Sequence, residues 1–274
     1  MLNNHFSIIA NLSPELQLIQ INQLQCLKLS HSVGTALIAL QGAQLLQWQP
    51  THAKQPVLWL SDIEPYQQGK AIRGGIPLCF PWFNNNGTPA HGFARISLWQ
   101  LKQYDISKDK VRLVFQLFLE QQLQAEICFT FSDKCELEFI NHAQANAQLA
   151  LHSYFQVSHI QQTYIQGLGE TCFNSLTQKQ ENVATPRQIE QNVDCIYPAQ
   201  DICHNAIHDQ GWQRTIQLEH HHASDMVLWN PWHKPTSAMN EQAYQSMLCL
   251  ETARIHQPLA IGECVKLSIS VENH

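Results

Sequence analysis

The sequence predicts an all-β protein, either a sandwich or a barrel, with few and short helices. Hydrophobic residues alternate with polar ones through several segments, and a period of two places one face of a strand on a core. No segment carries an apolar stripe long enough for a helix of three turns. Turn-forming residues separate the alternating segments, which is the pattern of many short strands.

The clearest alternation runs through residues 111–119, 123–131 and 265–271. Each segment has apolar side chains at every second position, so each is predicted to be a strand with one face on the core. Residues 37–40 and 45–48 flank a four-residue turn of sequence QGAQ. Two apolar runs around a glycine-containing turn predict a β-hairpin.

Helix is predicted in two short stretches only, residues 14–24 and 241–247. Residues 174–193 are polar and rich in glutamine, and they predict a long surface connection of the kind that borders functional sites. Strand patterns continue on both sides of this connection, so it is not interpreted as a linker between domains. All-β sandwiches of this length commonly form one unit, and we expect a single domain over residues 1–274.

The charge balance argues against a nucleic-acid partner but allows a small anionic substrate. The formal net charge is −6 at pH 7, the sequence pI is about 6.2, and no basic run is present. Binding to a phosphate backbone needs a basic face, which this composition does not supply. A small anion needs only two or three well-placed arginine or lysine side chains.

Nine cysteines at irregular spacings form no CxxC pair, so we expect reduced, mostly buried thiols in a reducing compartment. The first residues lack the basic and apolar segments of a secretory signal, and no window has the roughly 18 apolar residues of a membrane helix. We therefore expect a soluble, cytoplasmic protein without a membrane partner. The run 220–222, three histidines, resembles a metal tract, but we expect an exposed turn there and no metal site.

Two sequence patches combine arginine with glycine. In RGGIPLCFPWF, Arg73 precedes Gly74 and Gly75, and paired glycines suit a ligand that approaches the backbone closely. The alternative is that Arg73 only satisfies buried carbonyl groups and that the aromatic residues are core. In HGFAR, His91 and Arg95 are four residues apart, so in a strand they would face one ligand together. A solvated histidine is the alternative at this second patch.

Two further patches place titratable side chains on predicted strands. In LHSYFQV, His152 and Tyr154 share the face opposite to the leucines, and an imidazole is well suited to proton delivery near neutral pH. A structural histidine is the alternative there. In LCLET, Glu251 closes an apolar strand, so desolvation would raise its pKa and make it a competent base. The alternative is a carboxylate in water at a strand end.

Taken together, these patches resemble the hexose-6-phosphate mutarotases, relatives of galactose mutarotase and the aldose 1-epimerases. Six elements follow one another over residues 72–251: RGGIPLCFPWF, HGFAR followed by Trp99, LHSYFQV, VDCIY, VLWNPW and LCLE. The strand-rich flanks extend the likeness to nearly the whole chain. The resemblance implies a galactose-mutarotase-like β-supersandwich, in which large, mostly antiparallel sheets leave an open cleft for a sugar.

The resemblance also implies an acid–base pair. His152 falls on the family's general acid and Glu251 on its general base. Glu251 would take the proton of the anomeric hydroxyl while His152 gives one to the ring oxygen, which opens the ring to an aldehyde. Rotation about C1–C2 and reclosure then produce the other anomer. This chemistry implies no cofactor, no metal and no covalent intermediate.

The remaining implied roles concern substrate binding. His91 matches a second imidazole that helps to hold the sugar, and Asp194 matches a carboxylate that binds its hydroxyl groups. Arg73 and Arg95 match arginines that line the pocket and, in the phosphate-preferring branch, hold the 6-phosphate. The expected partner is therefore a small-molecule hexose phosphate, with the glucose 6-phosphate type as the example, and the expected state is a monomer.

Two departures from the family pattern concern the phosphate. The family usually has a basic residue where this chain has Cys195, and an aromatic–acidic pair where it has Phe173 and Asn174. Four further cations are either helpers for the phosphate or solvated surface charges: Lys70, Arg187, Lys234 and Arg254. The motif VLWNPW is either an aromatic platform for a sugar or part of the structural rim of the cleft.

Three other functions remain open from the sequence. An aldose 1-epimerase that acts on neutral sugars would share the acid–base pair but would not need the arginines. A catalytically silent protein that binds sugar phosphates would need neither His152 nor Glu251. A polysaccharide lyase or hydrolase on a related sandwich would usually show additional domains and export. The arginines of RGG and HGFAR favour the hexose-6-phosphate 1-epimerase.

Overall fold

The computed structural model describes residues 6–274, which form β-strands joined by turns and short 3₁₀ helices. In chain order the strands are β1 (Phe6–Asn11), β2 (Leu16–Ile21), β3 (Leu24–His31), β4 (Gly34–Ala39), β5 (Gln44–Pro50), β6 (Leu78–Cys79), β7 (Gln100–Ser107), β8 (Lys110–Leu119), β9 (Gln122–Phe131), β10 (Cys135–Asn141), β11 (Ala147–Leu151), β12 (Tyr154–Gln156), β13 (Thr163–Gln166), β14 (Thr171–Asn174), β15 (Lys179–Asn182), β16 (Arg187–Gln188), β17 (Val193–Pro198), β18 (Ile202–Asp209), β19 (Arg214–His221), β20 (Asp225–Asn230), β21 (Met247–Leu259) and β22 (Cys264–Asn273). The 3₁₀ helices are Ala94–Ile96, Ile160–Gln162 and Ala243–Ser246.

The strands are arranged in antiparallel sheets of five, nine and eight strands. The five-stranded sheet is a simple meander in the order β1-β2-β3-β4-β5. The nine-stranded sheet has the order β16-β13-β18-β19-β22-β10-β9-β8-β7. The eight-stranded sheet has the order β15-β14-β17-β20-β21-β11-β6, and β12 also pairs with β21. This architecture confirms the all-β prediction. Among residues 6–274, no helix is long and apolar enough to cross a membrane.

The main core lies between the sheets and takes apolar side chains from all three of them. In β22, Val265, Leu267 and Ile269 are at most 1% exposed, whereas the residues between them are only half-buried. Burying one such side chain contributes about 1.5–3 kcal/mol. The alternation of apolar and polar residues therefore drives the pairing of the sheets through their inner faces.

The face of the eight-stranded sheet that points away from the main core, which we call its outer face, carries a different set of side chains. On β21, Leu248 and Leu250 belong to the main core, whereas Glu251 points to the outer face. On β17 and β20, Asp194 and Trp229 lie opposite each other in the register and also face outward. Successive residues of a strand point to opposite faces, so the same alternation that fills the core also assembles polar groups on this face.

Most strand predictions are confirmed. β8, β9 and β22 cover the three alternating segments, and β4 pairs with β5 as the predicted hairpin. The predicted helix at 241–247 is a single 3₁₀ turn, Ala243–Ser246. The connection at 174–193 is largely exposed, but it contains the short strands β15 and β16.

The helix predicted at residues 14–24 is wrong, because most of this stretch forms β2. Leu16 packs in the main core, while Ile19 packs in a second cluster on the opposite side of the strand. A strand that is buried on both faces loses its strict alternation, and its apolar residues can then imitate the spacing of a helix.

The protein's own backbone requires the glycines of RGG, and this accounts for both of them without a ligand. A Cβ atom on Gly75 would lie 2.2 Å from the carbonyl oxygen of Leu45, and on Gly74 it would lie 2.6 Å from the Cα atom of Leu60. Both glycines also have positive φ angles, 112° for Gly74 and 64° for Gly75. The loop that carries Arg73 is therefore fixed against two neighbouring segments at positions that only glycine fills without strain.

We expect Gly75→Ala to lower the free energy of unfolding by about 3 kcal/mol, because the added methyl group meets a backbone oxygen and not a movable side chain. Gly169→Ala is the matched control, since its Cβ would meet only one atom, at 3.9 Å, and its effect should stay within about 0.5 kcal/mol. Urea unfolding of the two variants measures both values. Equal stability of the two variants would contradict this account of the RGG loop.

Candidate active site

A cleft of about 340 Å³ opens on the outer face of the eight-stranded sheet. The structure brings five of the six side chains singled out from the sequence to the walls of this cleft: Arg73, His91, His152, Asp194 and Glu251. They come from β17, β21, the residues after β11, and the two loops of the RGG and HGFAR motifs. A concave site with several convergent titratable groups is the usual form of an active site.

Glu251 lies in the middle of β21 and is only 1% exposed. Its Oε2 atom is buried and has no hydrogen-bond partner among residues 6–274. Burial raises the pKa of this carboxyl well above its usual 4.5, and the nearby charge of Asp194 raises it further. The carboxyl group is therefore held in a state in which it binds a proton more tightly than it would in water.

His152 follows β11 directly, and its Nε2 atom lies 3.4 Å from Oε1 of Glu251. Its backbone N–H donates to the carbonyl of Pro77 at 3.0 Å, and its ring is stacked on Tyr154 with a centroid distance of 4.8 Å and an interplanar angle of 6°. Burial lowers the pKa of His152 well below 6.5, and the positive charges of Arg73 and Arg95 lower it further. The ring is fixed in orientation and loses its proton more readily than a free imidazole.

The two shifts act together on one proton. In water, a histidine with a pKa of 6.5 holds a proton more tightly than a glutamate with a pKa of 4.5. Burial moves the two pKa values in opposite directions, so it lowers the proton affinity of His152 and raises that of Glu251. Relative to water, a proton shared by the pair is therefore shifted from His152 toward Glu251.

His91 borders the pair, and its ring centroid lies 5.9 Å from that of His152. Its Nδ1 atom accepts a hydrogen bond from the backbone N–H of Asn84 at 3.3 Å, so the neutral ring carries its proton on Nε2. Burial lowers the pKa of His91 to about 4, and the charges of Arg95 and Arg73 contribute to this shift. His91 is therefore a neutral hydrogen-bonding group at pH 7.

Arg73 is the arginine that lines the cleft. Its Nε donates to the carbonyl of Ser237 at 3.1 Å, and its Nη1 donates to the hydroxyl of Tyr154 at 2.9 Å. A guanidinium has five N–H donors, so three remain for a ligand. No carboxylate among residues 6–274 lies within 4.0 Å of this guanidinium, so its positive charge is not neutralised by an ion pair.

Asp194 and Lys234 place opposite charges on the same wall. Asp194 faces the cleft from β17, and burial raises the pKa of its carboxyl, against the opposing effects of the Ser175 hydroxyl and the Lys234 ammonium. Lys234 lines the cleft from the segment after β20. Its side chain forms no ion pair with any residue in the range 6–274. Lys234 is therefore a second free cation in the cleft beside Arg73.

Arg95 does not line the cleft, and the strand predicted to carry it together with His91 is absent. His91 has a φ of 62°, and Arg95 lies in the 3₁₀ helix Ala94–Ile96. Its Nη2 donates to the carbonyl of Ala90 at 2.7 Å, which ties down the loop that carries His91. In this structure Arg95 acts on the cleft through its charge and through the shape of that loop.

Several other predicted features lie elsewhere. Cys195 is 2% exposed and belongs to the main core, so the missing basic residue removes no cleft contact in this chain. Arg187 donates to the hydroxyl of Tyr197, and Arg254 pairs with Glu263 at 3.1 Å. The three consecutive histidines are not one exposed turn, because His220 is fully buried in β19, with Nδ1 2.8 Å from the Thr252 hydroxyl. Among residues 6–274, no three His, Cys, Asp or Glu side chains converge as metal ligands.

Sequence reasoning did not single out some groups of the cleft. Trp229 and Lys234 line it, although the sequence left both with structural or solvated alternatives. The carbonyl of Ser237 anchors Arg73 from a residue 164 positions away, and no motif links the two residues. Tyr154 was noted only for sharing a face with His152, yet it contacts both His152 and Arg73.

Comparison with known proteins identifies the family. The family model "Aldose 1-epimerase" matches residues 25–272. A Haemophilus influenzae protein named "Putative glucose-6-phosphate 1-epimerase" is 50% identical over 268 residues, which cover 97% of this chain and 98% of that protein. The crystal structure of HI1317 superimposes with a TM-score of 0.96 at 54% identity and covers 97% of this chain and 99% of that chain.

A further crystal structure, of a "putative mutarotase" from Salmonella typhimurium, superimposes with a TM-score of 0.91 at 31% identity and covers 98% of this chain and 97% of that chain. These likenesses confirm the mutarotase-like β-sandwich that the sequence motifs implied. The family model spans nearly the whole chain, and half of the residues are identical to those of a relative of almost equal length. This chain is therefore an isomerase that belongs to the aldose 1-epimerase family.

Proposed function

We propose that this protein interconverts the α and β anomers of an aldohexose 6-phosphate such as glucose 6-phosphate. The observation that carries the proposal is the buried contact of 3.4 Å between His152 and Glu251 in an open cleft that also contains Arg73. The pair supplies an acid and a base, and the arginine supplies an unpaired charge for a phosphate. The name of the Haemophilus influenzae relative supports the same substrate.

Ring opening and reclosure each move two protons, one between the sugar and Glu251 and one between the sugar and His152. Glu251 takes the proton of the anomeric hydroxyl while His152 gives its proton to the ring oxygen, and the C1–O5 bond breaks to leave an aldehyde. Rotation about C1–C2 presents the other face of the carbonyl. His152 then takes the proton of the C5 hydroxyl as this oxygen attacks C1, and Glu251 returns a proton to O1. Atoms and charges balance over the cycle, and both groups return to their starting states.

The remaining cleft residues hold the sugar phosphate. Arg73 and Lys234 provide two cations for the dianion, and the planar fork of the arginine suits two phosphate oxygens at once. Asp194 accepts hydrogen bonds from sugar hydroxyls, and the Nε2–H of His91 donates to a sugar oxygen. The family resemblance assigned Arg95 to the phosphate. Because Arg95 does not line the cleft, its role toward the phosphate is limited to its positive charge, which lowers the pKa values of His91 and His152.

We also propose that the protein acts as a single-domain monomer in the cytoplasm. The cleft residues of the acid–base pair and the proposed phosphate contacts all come from one chain, so a partner subunit is not needed to complete the site. All nine cysteines are unpaired, and seven of them are buried, which fits a reducing compartment. Light scattering in solution measures the molar mass, and we expect the 31.3 kDa of one chain.

We expect Glu251→Gln and His152→Ala to slow anomer exchange of glucose 6-phosphate by about 10²- to 10⁴-fold each, because each removes one partner of the proton transfer. NMR magnetisation transfer measures the exchange rate, after subtraction of the spontaneous reaction. Glu170→Gln, which changes an exposed carboxyl outside the cleft, is the matched control and should retain the wild-type rate. Retention of more than a tenth of the activity in either cleft variant would refute the assigned roles.

Glu251→Gln should also leave the melting temperature equal to or above that of wild type at pH 7. The pKa of Glu251 is raised in the folded protein, so its contribution to stability is lost as pH rises above the unfolded value of about 4.5. Glutamine does not ionise and has no such loss. The difference in melting temperature between Glu251→Gln and wild type should therefore disappear below pH 4.5. Thermal unfolding at pH 4 and pH 7 tests this, and a lower melting temperature of the variant at pH 7 would show that the ionised carboxylate stabilises the fold.

We expect a bell-shaped pH profile for kcat/KM. The pair needs one transferable proton, so the acidic limb follows protonation of His152 below pH 6.5 and the basic limb follows loss of the proton from Glu251 above pH 4.5. Neutral glucose serves as the control substrate, because a phosphate itself titrates near pH 6. A profile with an acidic limb above pH 7 would contradict the lowered pKa of His152.

Replacement of Lys234 should discriminate between phosphorylated and neutral sugars. We expect Lys234→Met to raise KM for glucose 6-phosphate about fivefold, the effect of one exposed charge, and to leave glucose unchanged. The effect should shrink as ionic strength rises. Lys70→Met, which removes an exposed lysine outside the cleft, is the matched control. Equal kinetics of both sugars in wild type would instead indicate a general aldose 1-epimerase.

A further inference from the structure

One buried side chain, Tyr154, contacts both the acid of the proposed reaction and the arginine of the proposed phosphate site. Its ring is stacked on His152 with centroids 4.8 Å apart, and its hydroxyl accepts a hydrogen bond of 2.9 Å from Nη1 of Arg73. We propose that Tyr154 is a positioning residue that holds His152 and Arg73 in one rigid unit and thereby sets the distance between the ring-opening acid and the phosphate. This inference rests on the proposed function.

The ring of Tyr154 is held on several sides. It is 2% exposed, stacks on Trp59 with centroids 5.8 Å apart, and meets Trp229 edge-on at 6.1 Å. Its backbone N–H donates to the carbonyl of Gly75 at 2.9 Å, and its own carbonyl accepts from the N–H of Trp59 at 3.0 Å. Since interior side chains at this density have little room to rotate, the plane of the tyrosine fixes the plane of the imidazole stacked on it.

The hydroxyl of Tyr154 fixes the guanidinium of Arg73 without neutralising it. Two hydrogen bonds determine the plane of the Arg73 guanidinium: Nη1 donates to the Tyr154 hydroxyl, and Nε donates to the Ser237 carbonyl. Burial raises the pKa of the phenol, so it stays uncharged at neutral pH. A carboxylate in the same place would cancel the positive charge that a dianion needs. A neutral acceptor gives the arginine a defined orientation and leaves its full charge for the phosphate.

A rigid unit of this kind has a consequence for the reaction. The phosphorus and the ring oxygen of a hexose 6-phosphate are joined by a short chain of bonds, O5–C5–C6–O6–P, which limits the distance between them. If one end is bound by Arg73, the position of the other end relative to His152 depends on the geometry of the protein between them. Small displacements of reacting groups are costly in rate, so a tyrosine that touches both groups is a determinant of specificity for the phosphorylated sugar.

The first experiment compares Tyr154→Phe with wild type on glucose 6-phosphate and on glucose. Phenylalanine keeps the ring that stacks on His152 and removes only the hydroxyl. We expect KM for glucose 6-phosphate to rise about tenfold, equivalent to about 1.4 kcal/mol, with kcat changed less than threefold and with glucose kinetics changed less than threefold. Tyr154→Leu removes the ring as well, and we expect it to lower kcat for both sugars.

The matched control is Tyr197→Phe. Tyr197 is also buried, 1% exposed, and its hydroxyl also accepts from an arginine, Arg187, at 3.3 Å, but it lies in the main core and not in the cleft. We expect wild-type kinetics on both sugars from this variant. Melting temperatures of all variants exclude general unfolding as the cause of a change.

A double-mutant cycle keeps the inference testable if Tyr154→Phe is unstable. Arg73→Lys retains the positive charge but lacks the guanidinium group that donates to the Tyr154 hydroxyl, so its KM for glucose 6-phosphate should rise. Adding Tyr154→Phe to this variant should then have little further effect on KM. Additive KM effects, or an unchanged KM in active Tyr154→Phe, would overturn the role of Tyr154 alone. Wild-type protein that exchanges neither sugar above the buffer rate would overturn the proposed function and this inference with it.

Discussion

The buried contact between Glu251 and His152 is the constraint on which the rest of the cleft depends. A glutamate that is 1% exposed and has an unpaired oxygen costs folding free energy, and the protein tolerates it at the centre of its longest strand, β21. The surrounding sheet excludes water from one side of the pair, and this exclusion raises the proton affinity of Glu251 and lowers that of His152. Reactivity here is a product of burial, and it needs no unusual chemical group.

Side chains along each strand point alternately to the two faces of the sheet, and this alternation explains how one sheet supports both a core and a candidate active site. On β21, Leu250 packs inward while its neighbour Glu251 faces the cleft, and on β17, Cys195 packs inward while Asp194 faces the cleft. Each polar group is therefore fixed by the apolar residues that flank it in sequence. Loops contribute the groups that must reach over the sheet. The glycines of RGG fix their loop against Leu45 of β5 and the segment at Leu60, and Arg95 ties down the HGFAR loop through the carbonyl of Ala90.

The parts of this site that could be predicted from sequence are those that strands and motifs determine. Glu251 and Asp194 follow from strand alternation combined with the family motifs. The orientation of Arg95 could not be predicted, because a left-handed φ at His91 turns the chain out of a strand. Lys234 is a long exposed side chain whose partner, if any, depends on tertiary structure. β2 was mistaken for a helix because both of its faces are buried, and two-sided burial hides the period of a strand.

The cations of the cleft connect substrate binding to the proton position. The charges of Arg73 and Arg95 contribute to the lowered pKa of His152, so without a ligand they disfavour the imidazolium form. A phosphate dianion bound at Arg73 opposes that field and raises the pKa of His152 toward its ordinary value. Because binding and protonation are linked reciprocally, a phosphorylated sugar would favour the protonated His152 that the proposed ring opening requires. A neutral sugar would not have this effect, so under the proposed mechanism the unpaired charge of Arg73 would favour faster chemistry as well as tighter binding.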